Sequence, residues 1–218
     1  MRLYLSDAIE FVRARMDELS YNNDDMIVPA DDDRNFDTTV EKLLPEAAEF
    51  IFRAAPARLL EPQDAVRQDS ADVESHSLKE DGSLVITIDL SGGFLRLVSF
   101  KSDDSDIYVT QTVPFDGPSA RMQANLYVRG TWDAPVLVER KVPGKLELRY
   151  YSVRNSGVEP GFTLYKINKP SYSVDKSIFS PDFLTPAILN RLTAMVLEAY
   201  GSVQQAQAFY QKSANYYA

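Results

Sequence analysis

The chain has 218 residues, 44% of them hydrophobic and 25% charged, a folded composition with enough length for one domain or two small ones. Zero cysteines exclude disulfides, thiolate metal sites and thiol nucleophiles, and a single histidine, His76, excludes any site that needs two imidazoles. The net charge of −9 is uneven: residues 1–82 carry 20 acids and 9 bases (−11), and residues 83–218 carry 12 acids and 14 bases (+2). That balance disfavours a grip on phosphate backbones and favours an acidic end meeting a basic partner or a second copy's other half.

No apolar run approaches transmembrane length, and an acid at Asp7 interrupts any signal-like apolar core, so the expectation is a protein made and kept in a cytoplasm, or packed into something assembled there, away from membranes. Residues 7–19 read as an amphipathic helix, with Leu5, Ile9, Val12, Met16 and Leu19 on one face and Asp7 or Ser6 as its cap. Residues 21–37 are acid-rich, contain Pro29 and read as a loop. Thr38-Thr39-Val40-Glu41 has the form of a capping box opening a second helix, whose stripe runs through Val40, Leu43, Leu44, Ala47, Ala48, Ile51 and Phe52. Pro45 inside that stripe predicts a kink or two short helices. Pro56 ends the element, and residues 57–60 add a turn.

Residues 63–82 are polar and acidic, without periodicity, and read as a connection. From Leu84 the period becomes two. Residues 84–90 and 94–101, joined at Ser91-Gly92-Gly93, predict a hairpin. Further strands are expected at 107–113, 126–129, 135–142, 145–153 and 162–167, with Pro143-Gly144 as a turn. Thr185-Pro186 opens another helix, Gly201 closes it, and Ser202-Val203-Gln204-Gln205 starts the last one. The fold class is therefore α+β: N- and C-terminal helices packed as a small bundle, with an inserted antiparallel β-sandwich or barrel-like domain. The divisions fall at 1–62 (helical), 63–82 (acidic connection), 83–170 (β) and 171–218 (helical).

Chemistry-bearing motifs are few. Asp31, Asp33 and Asn35 begin like a calcium loop, but Phe36 stands where glycine is needed and Lys42 where glutamate is needed. No phosphate-binding glycine loop is present. His76 sits in a polar stretch without the setting of a catalytic triad and reads as a solvated loop residue. No catalytic set, metal site or cofactor is expected. Trp132, beside Arg129, and the late tyrosines Tyr200, Tyr210, Tyr216 and Tyr217 suggest interface anchors, since Tyr and Trp concentrate at protein contacts.

Three stretches resemble one family. Phe94-Leu95-Arg96-Leu97-Val98-Ser99-Phe100-Lys101 is similar to its LRLVS-K strand. Leu126-Tyr127-Val128-Arg129-Gly130-Thr131-Trp132-Asp133-Ala134-Pro135-Val136 is similar to its RGT-x-x-x-PV segment. Ile27-Val28-Pro29, Leu43-Leu44-Pro45-Glu46-Ala47 and Ala54-Ala55-Pro56 resemble its N-terminal helical part. The family is the neck ring proteins, the head–tail connectors of crAss-like and related tailed phages of Bacteroidales. The resemblance covers about two thirds of the chain in the same order; residues 102–121 diverge, and the C-terminal helix matches only in kind. It implies a non-enzymatic structural protein of the virion neck, assembled in the host bacterial cytoplasm. It further implies a ring of twelve copies below a portal protein, an adjacent ring or tail protein as neighbour, and DNA passing through without sequence recognition. The interface residues expected on this reading are Asp31, Asp32 and Asp33, Arg129 and Trp132, and Tyr210, Tyr216 and Tyr217. The alternatives are a module whose β domain binds a glycan or host surface through an exposed Trp132, and a hydrolase built on scattered acids.

Overall fold

A computed structural model describes residues 2–20, 34–60, 64–91, 93–152 and 158–217. They divide into a unit made of Met1–Glu61 with Lys169–Ala218 and a second unit, Pro62–Asn168, inserted between those segments. The chain is α+β, with five α-helices and ten strands in three sheets among the described residues.

The first unit is mainly helical. It contains α1 (Leu5–Ser20), α2 (Arg34–Ala54), a single 3-10 turn (Ala57–Leu59), α4 (Thr185–Ala199) and α5 (Val203–Ala214). Strands β1 (Arg2–Tyr4) and β10 (Ser177–Phe179) pair antiparallel as a short ribbon. Helix α4 is the centre: α1, α2 and α5 all contact it. Its buried residues include Ala187, Ile188, Leu192, Ala194, Val196 and Leu197, most of its circumference, as expected of a helix wrapped by others. The polar residues it buries are satisfied by its own backbone, Asn190 donating to the Pro186 carbonyl and Thr193 to that of Leu189. From α5, the buried Ser213 hydroxyl donates to the Ala187 carbonyl at 2.9 Å.

Helix α2 corrects two expectations. Its first turn begins at Arg34, so the supposed capping box lies inside the helix, where the Thr39 hydroxyl donates back to the Asn35 carbonyl. Pro45 does not divide it into two elements: the helix is continuous. A proline at 45 has no N–H for the carbonyl of residue 41. That carbonyl instead accepts the Tyr172 hydroxyl at 2.7 Å, so the bond lost within the helix is replaced from outside it. The apolar stripe is buried as expected, with Val40, Leu44, Ala47, Ala48, Ile51 and Phe52 fully covered; each large apolar side chain contributes on the order of 1.5–3 kcal/mol. At the start of α5, Ser202 makes no side-chain cap, so the second capping box is not formed either.

The second unit holds eight strands. A five-stranded sheet has the order β3 (Val73–Leu78), β4 (Ser83–Asp89), β8 (Lys145–Tyr151), β7 (Val136–Val142), β6 (Thr112–Pro114); a three-stranded sheet has the order β2 (Asp64–Arg67), β9 (Phe162–Asn168), β5 (Phe94–Ser102). Inward residues of both sheets meet in one core that includes Leu84, Ile86, Leu137, Leu148, Phe100, Phe162 and Leu164. Across β4 and β8 the core pairs face each other directly: Leu84 with Tyr150, Ile86 with Leu148, Ile88 with Leu146. Both sheets are open, so the barrel alternative is not found. The β7–β8 hairpin is as expected, with Gly144 in the left-handed region at φ +75°.

Four strand expectations fail for identifiable reasons. Residues 63–82 are not a bare connection: they carry β2 and β3, outer strands of the two sheets. The exposed middle of β3 (Glu74, Ser75, His76) gives no alternating apolar signal. β4 and β5 do not form a hairpin, because β4 has both edges taken by β3 and β8, and the chain crosses to the other sheet. Residues 107–113 contribute only the Phe100–Val109 bridge and the beginning of β6. Residues 126–129 form turns rather than a strand. β6 and β7 are the one parallel pair among the described strands, so the chain between them must return to its starting end before re-entering the sheet. That crossover is residues 115–135, with the five-residue helix α3 (Pro118–Met122) at its start.

Candidate interaction surface

The crossover concentrates the exposed apolar side chains of the second unit. Phe115, Met122, Leu126, Tyr127, Val128 and Trp132 are all exposed, Leu126 at 70% and Tyr127 at 97%. Scattered exposed apolar residues are ordinary; six of them between 115 and 132 make this segment the candidate interaction surface.

The segment is held in a defined shape. Gln123 is buried, and its amide bridges the two limbs: its Oε1 accepts the Gly130 N–H at 2.6 Å and its Nε2 donates to the Ser119 carbonyl at 2.9 Å. Asn125 starts the tip, its Oδ1 accepting the Tyr127 N–H and its carbonyl accepting the N–H groups of Val128 and Arg129. Gly130 has no room for a side chain: a Cβ there would lie 2.8 Å from the Val136 nitrogen and 2.9 Å from the Tyr151 carbonyl oxygen. Arg129 donates to the Asp81 carbonyl on the neighbouring β3–β4 turn. The result is an ordered prong with an apolar tip.

Asp81 anchors the base of this arrangement. Its carboxylate accepts from the Ser83 amide and hydroxyl and from Arg149, whose Nη2 lies 2.6 Å away. Burial pushes the Asp81 carboxyl up, but the Ser83 hydrogen bonds and the Arg149 guanidinium outweigh it and hold the group below its ordinary value. Two grooves flank Phe115. One, about 580 Å³, is lined by Thr112, Glu139, Arg140 and Lys141; the other, about 400 Å³, by Ala120, Arg121, Val138 and Tyr151. Arg140 covers the Phe115 ring at 4.9 Å.

The expected interface residues are distributed as follows. Asp31, Asp32 and Asp33 lie outside the described residues. Arg129 and Trp132 both belong to the prong, Trp132 being 41% exposed. In the helical unit, Tyr210 is largely committed to its own packing: its hydroxyl donates to Glu198 at 2.6 Å, and Arg191 lies 4.3 Å from its ring and 3.6 Å from that of Phe50. Burial and the Glu198 carboxylate push its phenol up to about 12. Tyr216 is exposed and Tyr217 half-buried, just beyond α5. Leu126, Tyr127 and Val128 were hidden by their strand-like composition. The available signal was Asn125 before them and Arg129-Gly130 after them, a turn opener and a glycine closing three apolar residues.

His76 is exposed, as expected, but on a strand rather than in a loop. It lies on β3 with Nδ1 against the Glu159 carboxylate and its ring edge-on to Phe162. Among the described residues no three His, Cys, Asp or Glu side chains cluster as a metal site. Among the described residues the carboxyls whose proton affinity moves, Asp81, Asp89 and Asp175, all move down, opposite to the direction a general acid needs. No described helix is long and apolar enough to cross a membrane. No protein-family model matches the chain, and no curated protein matches it.

Proposed function

We propose that this chain is a structural virion protein, a head–tail connector subunit that docks below a portal, forms a ring around the DNA channel and links capsid to tail. The observation that carries the reading is the ordered, apolar prong of the crossover, made by the segment that resembles the RGT-x-x-x-PV stretch of neck ring proteins. A chain that pins both limbs of a loop and leaves Leu126 and Tyr127 at its tip is built for contact with another protein surface. The finer architecture belongs to the same reading: the terminal helices act as a bundle that docks, and the inserted strands act as a two-layer sandwich that presents the prong. Its partners are further copies of itself, the portal and the next ring or tail protein; DNA passes along an acidic wall that repels phosphates.

The test is electron microscopy of the purified chain, alone and with a portal from the same virion. Closed rings with an axial opening, or rings seated on the portal, are the expected result. A dimer of fixed size that leaves the portal bare would refute it. The glycan-binding reading retains one favourable observation, the partial exposure of Trp132. A glycan array giving a hit lost in Trp132→Ala would select it.

A further inference from the structure

Two Asp-Gly pairs occur in the chain, Asp81-Gly82 and Asp116-Gly117, and both fall at the same place in a turn. Each aspartate is third and each glycine fourth in a four-residue turn closed by the glycine N–H: Gly82 donates to the Lys79 carbonyl at 2.9 Å and Gly117 to the Pro114 carbonyl at 3.0 Å. The dipeptide and its amide hydrogen bond are alike; the carboxylates differ. Asp81 has both oxygens engaged: Oδ1 accepts the Ser83 N–H at 3.0 Å and the Ser83 hydroxyl at 2.6 Å, and Oδ2 accepts Arg149 Nη2 at 2.6 Å. Asp116 is exposed, and among the described residues its carboxylate accepts no hydrogen bond and joins no ion pair. Arg121 reaches only the Asp116 main-chain carbonyl, at 3.4 Å.

We propose that Asp116-Gly117 is a site of spontaneous isoaspartate formation, and that Asp81-Gly82, its match in dipeptide and turn position, is protected by the groups that hold its carboxylate. The acid form of Asp116 reacts. The Gly117 nitrogen attacks Cγ, a C–N bond forms, and the carboxyl OH leaves with the amide proton as water, closing a five-membered succinimide. Water then adds to one of the two imide carbonyls and breaks its C–N bond. Opening at the former main-chain carbonyl routes the chain through the side chain as isoaspartate, and opening at the other restores aspartate. Water is lost and regained, so mass is unchanged and no further reactant is needed. Glycine permits the attack because it places no Cβ beside the nitrogen. At Asp81 the carboxylate must first leave two Ser83 donors and Arg149, which should slow the step about tenfold or more. The product adds one methylene to the main chain between β6 and α3, at the base of the prong. It should undo the Gly117-to-Pro114 hydrogen bond and displace the start of the crossover.

The natural chain contains its own control. It would be kept for several weeks in warm neutral buffer, folded in one sample and unfolded in guanidinium in another. Both would then be cut into peptides, and electron-transfer fragmentation would tell isoaspartate from aspartate at each position. In the folded chain isoaspartate should build up at Asp116 about tenfold faster than at Asp81. In the unfolded chain the two sites should react at similar rates, because each then has only its glycine beside it. Asp116→Glu, whose longer side chain would have to close a six-membered ring, should abolish the product at that position. Ser83→Ala/Arg149→Gln removes two of the three donors to Asp81 and should bring its rate towards that of Asp116; the comparison of folded with unfolded natural chain decides the matter if this variant does not fold. A folded chain in which Asp81 reacts as fast as Asp116 would overturn the proposal. So would a folded chain that forms no isoaspartate at Asp116 while the unfolded chain forms it at both sites, since the turn itself would then be the protecting element.

Discussion

The replacement of a missing helix bond by Tyr172 gives a prediction with a built-in control. Tyr172→Phe removes one hydroxyl and leaves the Glu41 carbonyl without the partner that stands in for the absent amide of Pro45. A neutral hydrogen bond contributes about 1 kcal/mol, and a buried acceptor left without a partner costs up to about 3 kcal/mol; for a half-buried tyrosine the cost should be about 1.5 kcal/mol. In a Pro45→Ala background the alanine N–H can reach the same carbonyl along the helix, so Tyr172→Phe should then cost only about 0.5 kcal/mol. The coupling between the two positions is therefore about 1 kcal/mol, a shift on the order of 4 °C in the midpoint of the helical unit. The assay separates the two units. Helical ellipticity reports mainly the unit holding α1, α2, α4 and α5, and fluorescence of Trp132, the sole tryptophan, reports the other. The four chains of the cycle would be unfolded in denaturant and followed by both signals. Equal costs of Tyr172→Phe in the two backgrounds would refute the idea that the hydroxyl substitutes for the amide.

Further predictions concern one unit at a time. Lys166 is buried on β9, and its ammonium is paired with Asp72; Asp72→Ala should cost about 3 kcal/mol by stranding that charge, while Asp72→Ala with Lys166→Met should recover most of the loss, both read as Trp132 unfolding midpoints. Gly130→Ala should disorder the prong, since the two nearest atoms its Cβ would meet are backbone; loss of amide-exchange protection at Gly130 and Arg129, with the β7–β8 hairpin still protected, is the expected pattern, and unchanged protection would count against the close fit. Burial, with Glu41 and Glu198 as further causes, pushes the Tyr172 and Tyr210 phenols up to about 12. The unfolded chain therefore loses these protons first, near pH 10, and the helical unit should hold its stability up to about pH 10 and lose it towards pH 12, less steeply in Tyr210→Phe. Hydrogen bonds from Ser173 and Ser177, with Arg2 behind them, hold the Asp175 carboxyl below the ordinary value, so its contribution is present above about pH 4 and is lost as acid protonates it; Asp175→Asn should flatten that acid limb.

What the sequence disclosed and what it hid follow from which forces act locally. The stripe of α2 and the alternation of β4 were legible because burial of one face imposes a period, and Val40 to Phe52 and Leu84 to Ile88 keep that period without interruption. β3 was invisible because an outer strand buries little: Glu74, Ser75 and His76 remain exposed, so nothing selects apolar residues at alternate positions. The continuity of α2 through Pro45 was invisible for a different reason. Its rescue comes from Tyr172, 131 residues along the chain from the Glu41 carbonyl it binds, and no local pattern records such a partner. The prong combined both difficulties. Leu126-Tyr127-Val128 has strand composition, yet the parallel pairing of β6 with β7 requires a crossover at that point, and parallel pairing is a property of the sheet rather than of the segment. Exposure of such residues is therefore informative in a way that their composition is not. An apolar triplet used as a strand would be buried on at least one face; here it lies outside any sheet, in a segment pinned by Gln123 and Gly130, and all three side chains are exposed. Keeping Leu126 and Tyr127 in water has a cost that a covering partner would offset, so the proposed function rests on this surface rather than on any cleft.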